Sequence, residues 1–84
     1  MTAVTERDLS KGMDGDDVKR WQELLKEQGF DPGPANGRFR IKTVEATIEF
    51  QENHGLPPTG IVDEATRALI PPIKRDTYLR ETKQ

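Results

Sequence analysis

Two eight-residue stretches of this sequence share one motif: NGRFRIKT at residues 36–43 and TGIVDEAT at residues 59–66. Each stretch has a glycine, an apolar residue two positions later (Phe39 or Val62) and a threonine six positions later. Glycine accepts the positive φ that a tight turn requires, and a threonine near a helix start can bond free backbone groups. The motif therefore predicts a turn, a buried apolar anchor and a helix start, each of them twice.

The spacing of apolar residues predicts two long helices. The first covers residues 16–28, begins with acidic residues that favour a helix N-terminus, and precedes Gly29, which suits a helix end. The second covers residues 41–53 and precedes Gly55. Between them, FDPGPANG at residues 30–37 holds two prolines and two glycines, so a loop is predicted there.

A third, shorter helix is predicted over residues 64–70, after the turn LPPTG at residues 56–60. Asp63 is its predicted N-cap, and Pro71 with Pro72 would stop it. The helix is predicted to turn three apolar residues inward: Ala65, Ala68 and Leu69. The sequence thus predicts an all-α fold, a small three-helix bundle with two glycine-centred loops.

Length and composition limit the organisation of the chain. With 84 residues, 32% of them hydrophobic and 33% charged, the chain is expected to form one small domain. We predict a flexible N-terminus at residues 1–8, the helical domain at residues 9–70 and a charged C-terminal tail at residues 71–84.

Charge and residue content exclude several classes of function. The 13 basic and 15 acidic residues are interspersed and give a formal net charge of −2, which argues against a nucleic-acid partner. The sequence has no cysteine and a single histidine, His54, so neither a disulfide nor a zinc site is predicted, and no cofactor is expected. No apolar run is long enough to span a membrane.

The opening residues, MTAVTERDLSKG, lack the basic-then-apolar pattern of a signal peptide. The expectation at this point is synthesis in the cytoplasm, with localisation left open. The protein either stays where it is made or leaves by a route that this sequence does not encode, such as assembly into a virion or an injection machine.

The ordered series of these residues resembles the small three-helix, type 1 peptidoglycan-binding domains. The resemblance covers residues 9–70 and rests on many weak motifs at matching intervals rather than on one decisive motif. Two family positions differ in each copy: Asn36 and Thr59 replace an aspartate, and Arg40 and Asp63 replace a glycine. The matching residues are Leu9, Gly12, Gly15, Val18, Trp21, Gln22, Leu25, Gly29, Gly37, Phe39, Thr43, Phe50, Gln51, Gly55, Leu56, Gly60, Ile61, Val62, Thr66 and Leu69.

The resemblance implies a shallow cleft formed by the two repeated loops and the helix starts beside them. Its ligand would be the peptidoglycan stem peptide or the adjacent glycan, whose carboxylates and amides suit helix N-termini, hydroxyls and arginine. Each polar candidate could equally be an ordinary loop residue. The candidate ligand-binding residues are Asn36, Arg38, Arg40 and Thr43 on the first loop, and Thr59, Ile61 and Thr66 on the second.

Three further residues have a structural and a functional interpretation. Trp21 lies on the apolar stripe of the first helix, so burial is predicted rather than stacking on a sugar. Gln22 and Gln51 are predicted to brace the loops through hydrogen bonds to backbone rather than to bind ligand.

The sequence shows no combination of base, nucleophile and metal ligand, so no enzyme activity is predicted. The leading hypothesis is a non-catalytic module that brings an associated enzyme, lysin or phage and injection machinery to the cell wall. The alternative is a structural or adaptor protein that reuses this fold to bind a protein partner through the loops or through residues 71–84.

Overall fold

The computed structural model describes residues 7–70 of the chain, and this part contains three helices. Helix α1 is Asp16–Glu27, α2 is Ile41–Asn53 and α3 is Glu64–Arg67. The described residues form no β-strand beyond two isolated bridges, so the predicted all-α three-helix class is confirmed. The observed bounds of α2 are those predicted, and α1 ends one residue before its predicted end.

Helices α1 and α2 end in the same way, with a glycine in the left-handed conformation. Gly29 has φ 94° and Gly55 has φ 76°, as the sequence predicted for both positions. After α1, the Phe30 N–H reaches back to the Leu25 carbonyl at 2.9 Å; after α2, Leu56 N–H reaches Gln51 in the same way, also at 2.9 Å. This bond satisfies a carbonyl that the helix itself leaves free, which fixes where the next loop starts.

Helix α3 is shorter than predicted and turns a different side inward. After Arg67 the hydrogen bonds tighten: Ile70 N–H bonds the Arg67 carbonyl three residues back, at 3.1 Å. A proline follows Ile70 in the sequence and disfavours helical geometry at that residue. Ala65 and Ala68, predicted to face inward, are exposed, and Leu69 is only half-buried. The residues of this region that do enter the interior are Thr66, Arg67 and Ile70.

The core is centred on Trp21 of α1 and Phe50 of α2. Their rings meet edge to face with centroids 5.2 Å apart, and the Trp21 Nε1–H donates to Thr47 Oγ1 at 3.0 Å. Trp21 is fully buried, as predicted, and so presents no surface to a sugar. Around this pair lie the other buried apolar residues: Leu9, Val18, Leu24, Leu25, Phe39, Ala46, Val62 and Ile70.

The segment before α1 joins the two loops to each other. Leu9 and Val62 exchange two backbone hydrogen bonds, of 3.0 and 2.8 Å, which connect the segment to the second loop. Gly12 N–H then donates to the Phe39 carbonyl of the first loop at 2.8 Å. Both apolar anchors of the repeated motif, Phe39 and Val62, are thereby held in the core by the same short segment.

Arg7 and Asp8 contact residues of the helical part of the chain. Arg7 and Asp8 were predicted to belong to a flexible N-terminus, yet Arg7 Nε–H donates to Asp17 Oδ2 at 2.8 Å. The Arg7 carbonyl also accepts a bond from buried Arg67, which pairs with Asp8 at 3.5 Å. The Arg7 guanidinium lowers the pKa of the Asp17 carboxyl below its ordinary value. These long-range contacts were invisible in the local sequence pattern.

Candidate functional site

The first repeated loop is held by the buried side chain of Gln22. Its Oε1 accepts a hydrogen bond from Gly37 N–H at 2.9 Å, and its Nε2 donates to the Arg38 carbonyl at 2.8 Å. The second Nε2–H donates to Thr43 Oγ1 at 3.0 Å. The Thr43 hydroxyl in turn donates to the Pro32 carbonyl at 2.9 Å. One glutamine thus ties the turn, the following residue and the start of α2 together.

The second repeated loop is held by Gln51 through the same set of bonds. Gln51 Oε1 accepts from Gly60 N–H at 2.9 Å, and Nε2 donates to the Ile61 carbonyl at 2.9 Å. Nε2 also donates to Thr66 Oγ1 at 2.9 Å. The predicted bracing role of both glutamines is confirmed. We call each set, a glutamine with the glycine and the threonine that it bonds, a Gln–Gly–Thr clamp.

The residue before each glycine closes its turn with a side-chain oxygen. Asn36 Oδ1 accepts from Arg38 N–H at 2.9 Å, and Thr59 Oγ1 accepts from Ile61 N–H at 3.1 Å. Asn and Thr are suited to this local bond, so the family aspartate can be replaced at both positions without loss of the turn. Asn36 and Thr59 are both exposed.

A shallow groove opens beside the first loop and the start of α2, with a volume of about 240 Å³. We call it the first-loop groove. Two prolines and the half-exposed Ile41 give it apolar walls, and three cationic residues also line it. The lining residues are Pro32, Pro34, Asn36, Arg38, Arg40, Ile41, Lys42 and Thr43.

The charge of this groove is positive and only partly compensated. Arg40 pairs with Asp14 at 3.3 Å and Lys42 pairs with Asp31 at 3.3 Å; all four side chains are more than half exposed. Arg38 makes no side-chain hydrogen bond or ion pair with any other residue in the 7–70 range. The Gly33 N–H, followed by Lys42, lowers the pKa of the Asp31 carboxyl below its ordinary value.

The structure brings four of the seven candidate residues to one place. The four that line the first-loop groove are Asn36, Arg38, Arg40 and Thr43. Thr43 is only 1% exposed, and its hydroxyl already accepts one hydrogen bond and donates another. The other three, Thr59, Ile61 and Thr66, do not line it.

The first-loop groove is lined by the first loop and the start of α2, and the cleft expected between the two loops stays a prediction. The two clamps lie toward different ends of α2, at Thr43 and at Gln51. Thr66 is 1% exposed, and its hydroxyl bonds Asp63 and Gln51. Ile61 remains an exposed apolar residue at 41%.

Sequence reasoning missed Ile41, Lys42 and the two prolines as parts of the groove. Ile41 is 55% exposed at the first position of α2, and the predicted apolar face of that helix did not include it. The available signal was the alternation of cationic and apolar residues in RFRIK, residues 38–42, beside a proline-rich loop.

Two classes of site are not represented in the described part of the chain. Residues 7–70 contain no group of three or more acidic, histidine or cysteine side chains arranged to hold a metal ion. None of the helices in the same range is both long and apolar enough to cross a membrane.

Comparison with known families identifies the class of protein. Residues 14–70 match the family model described as "Putative peptidoglycan binding domain". The chain belongs to this family of peptidoglycan-binding domains, in agreement with the resemblance found in the sequence. Among curated proteins, it is 40% identical over 62 residues to the carboxy-terminal processing protease CtpB of Bacillus subtilis, which covers 74% of this chain and 13% of that one.

A second relative is the spore cortex-lytic enzyme of Bacillus cereus, 32% identical over 80 residues that make up 95% of this chain and 30% of the enzyme. The chain thus spans less than a third of either relative. Most of each relative lies outside the matched region.

Solved structures place the fold in the same class. The SleB N-terminal domain superposes with a TM-score of 0.77 at 32% identity, covering 86% of this chain and 99% of that one. A Clostridioides difficile peptidoglycan-binding protein, solved with glutamine hydroxamate, gives 0.76 at 30% identity over 84% of this chain and 44% of that one. The Burkholderia AP3 phage endolysin gives a TM-score of 0.74 at 28% identity, covering 83% of this chain and 27% of that one.

Proposed function

We propose that this domain is a non-catalytic wall-binding module whose contact face is the first-loop groove. The observation that carries the proposal is the meeting of Arg38, Arg40 and Lys42 over apolar walls in a domain of the peptidoglycan-binding family. Arg38 is the cation with no described partner, so it can bind an anionic ligand without first giving up an ion pair.

The chemistry of a stem peptide fits this groove. Stem peptides combine carboxylates, amides and aliphatic side chains, and guanidinium groups bind carboxylates through charge-assisted, often bidentate hydrogen bonds. Pro32, Pro34 and Ile41 offer the complementary apolar contacts. We restrict the proposed face to the first loop: Asn36, Arg38 and Arg40 contact ligand, and Thr43 forms the floor that holds them in place.

The proposed role of the module is to concentrate its host protein on the wall. A tethered binding domain raises the effective concentration of whatever it is joined to, with no need for chemistry of its own. The three described acidic residues with lowered pKa values support a non-catalytic role, because each carboxylate is engaged in the fold: Asp17 bonds Arg7, Asp31 accepts from the Gly33 N–H, and Asp63 caps α3.

Sedimentation with purified sacculi tests this function. We expect the full chain to sediment with sacculi, and Arg38→Ala and Arg40→Ala each to lower the bound fraction at least fivefold. Lys26→Ala is the matched control, since it also removes one exposed cation but lies on α1 outside the groove. Binding by both arginine variants at the control level would overturn the proposed face.

The alternative is an adaptor that binds a protein partner through the loop groove or through residues 71–84, and the latter lie outside the described residues. It stays a prediction from the sequence.

A further inference from the structure

The two copies of the motif differ at the residue that caps the following helix. At α3, Asp63 Oδ1 accepts from Thr66 N–H at 3.0 Å and from Thr66 Oγ1–H at 2.9 Å. At α2 the cap residue is Arg40, whose side chain makes no capping hydrogen bond. The backbone is nearly the same, with φ −103° and ψ −173° at Asp63 and φ −122° and ψ −169° at Arg40.

The start of α2 therefore has the backbone for a carboxylate cap without the carboxylate. Its first turn contains no acidic residue, and the N–H groups of Ile41, Lys42 and Thr43 donate to no other described residue. All three residues line the first-loop groove, as do Arg38 and Arg40. The position that Asp63 fills in one copy of the motif thus opens, in the other copy, into a groove bordered by three cations.

We propose that a carboxylate of the peptidoglycan stem peptide takes, at α2, the place that the Asp63 carboxylate takes at α3. The inference rests on the proposed function and deepens it by naming the ligand group and its receptor. Thr43 N–H is the backbone donor, by analogy with Thr66, and Arg38 and Arg40 supply charge. The aliphatic part of the peptide lies against Ile41 and the prolines.

The carboxylates already near the groove do not occupy this position. Asp14 pairs with Arg40 and Asp31 pairs with Lys42, each at 3.3 Å and with exposed side chains, so both pairs are weak and screened by salt. Asp31 Oδ1 also accepts from the Gly33 N–H at 3.0 Å, so this oxygen is already engaged within its own loop. A ligand carboxylate competes only with the Arg40–Asp14 pair, so its binding should weaken as salt rises.

A pair of probes tests the ligand group. One is the mixture of disaccharide peptides released from sacculi by a muramidase; the other is the same mixture after its carboxyl groups are converted to amides. We expect the untreated probe to bind the ¹⁵N-labelled chain at least tenfold more tightly and to shift the amide resonance of Thr43. Equal affinity for both probes, in a chain that still sediments with sacculi, would overturn the inference and leave the proposed function standing.

A charge-matched pair of variants tests the position. Arg40→Asn and Arg40→Gln remove the same charge, but only Asn is short enough to cap α2 and fill the place of the ligand carboxylate. We expect Arg40→Asn to bind the untreated probe at least fivefold more weakly than Arg40→Gln, with a thermal midpoint no lower. Lys26→Gln is the control and should bind within twofold of the wild type.

Two results would overturn the inference at this position. One is equal binding of the untreated probe by Arg40→Asn and Arg40→Gln, with both variants folded. The other is an Arg40→Asn variant that binds and still shows the Thr43 shift. Failure of the wild-type chain to sediment with sacculi would instead overturn the proposed function itself.

Discussion

Gln22 and Gln51 make the same three hydrogen bonds to two different loops. Each accepts from the N–H of a positive-φ glycine, donates to the next carbonyl and donates to the threonine six residues after the glycine. Both glutamines are 1% exposed or less, so the amides are shielded from water and no solvent replaces a lost bond.

The first prediction concerns these clamps. Gln22→Ala and Gln51→Ala should each lower the free energy of unfolding by roughly 2–4 kcal/mol, because each leaves buried backbone groups unpaired and opens a cavity. Urea unfolding followed by Trp21 fluorescence measures the change. The exposed neighbours provide controls: Glu23→Ala and Glu52→Ala should change stability by less than about 0.5 kcal/mol. Equal effects in clamp and control variants would contradict the clamp.

The second prediction separates backbone strain from crowding at the glycines. Gly37 and Gly55 have similar φ values, 81° and 76°, but a Cβ on Gly37 would lie 3.0 Å from the Gly15 carbonyl oxygen. A Cβ on Gly55 would meet nothing within 4 Å. Gly55→Ala should cost about 1 kcal/mol, and Gly37→Ala roughly 2–3 kcal/mol, by urea unfolding. A Gly55→Ala variant as unstable as Gly37→Ala would show that crowding is unimportant.

The third prediction exchanges the caps. Asp63→Ala should cost about 1 kcal/mol, since Thr66 N–H loses its acceptor. Arg40→Asn should be about 0.5–1 kcal/mol more stable than Arg40→Gln, because Asn can supply the acceptor that α2 lacks. Chemical unfolding of all three variants checks both values. A difference of zero between Asn and Gln at position 40 would mean that this helix start cannot take a cap.

The fourth prediction concerns acid. Bonds from Thr66 lower the pKa of Asp63, and the bond from Arg7 lowers that of Asp17. A carboxyl with a lowered pKa in the folded state stabilises fully above its unfolded value, about 3.9. That contribution is lost as pH falls through the lower folded value. Stability should therefore fall with pH below about 4, and less steeply in Asp63→Asn. Parallel pH profiles for the two proteins would contradict this assignment.

Local patterns in the sequence were sufficient for much of the fold. Apolar spacing and terminal glycines located α1 and α2, and Asp63 was correctly predicted to cap α3. Terminal glycines and caps act on backbone groups within one turn of the helix, so a single sequence is enough to predict them. The side of α3 that faces inward depends instead on Gln51 and Arg7, which are distant in sequence.

The candidate site was only partly predictable for the same reason. The first-loop residues Asn36, Arg38 and Arg40 line one groove, since three positions of one short loop cannot lie far apart. Whether the second loop shares their groove depends on where each clamp lies along α2, and no local motif encodes that distance. That Thr43 and Thr66 are buried likewise follows from glutamines on other elements.

The clamps hold each loop by its main chain and its threonine, and they ignore the side chains that the loop turns outward. The glutamines bond Arg38 and Ile61 through their carbonyls, and the turn bonds from Asn36 and Thr59 use their N–H groups, so none of these bonds involves either side chain. Variants randomised at these two positions should therefore keep the fold and differ in the ligands that they bind. The domain is therefore a scaffold whose outward loop side chains can be exchanged, and a starting point for selecting binders of new wall chemistries.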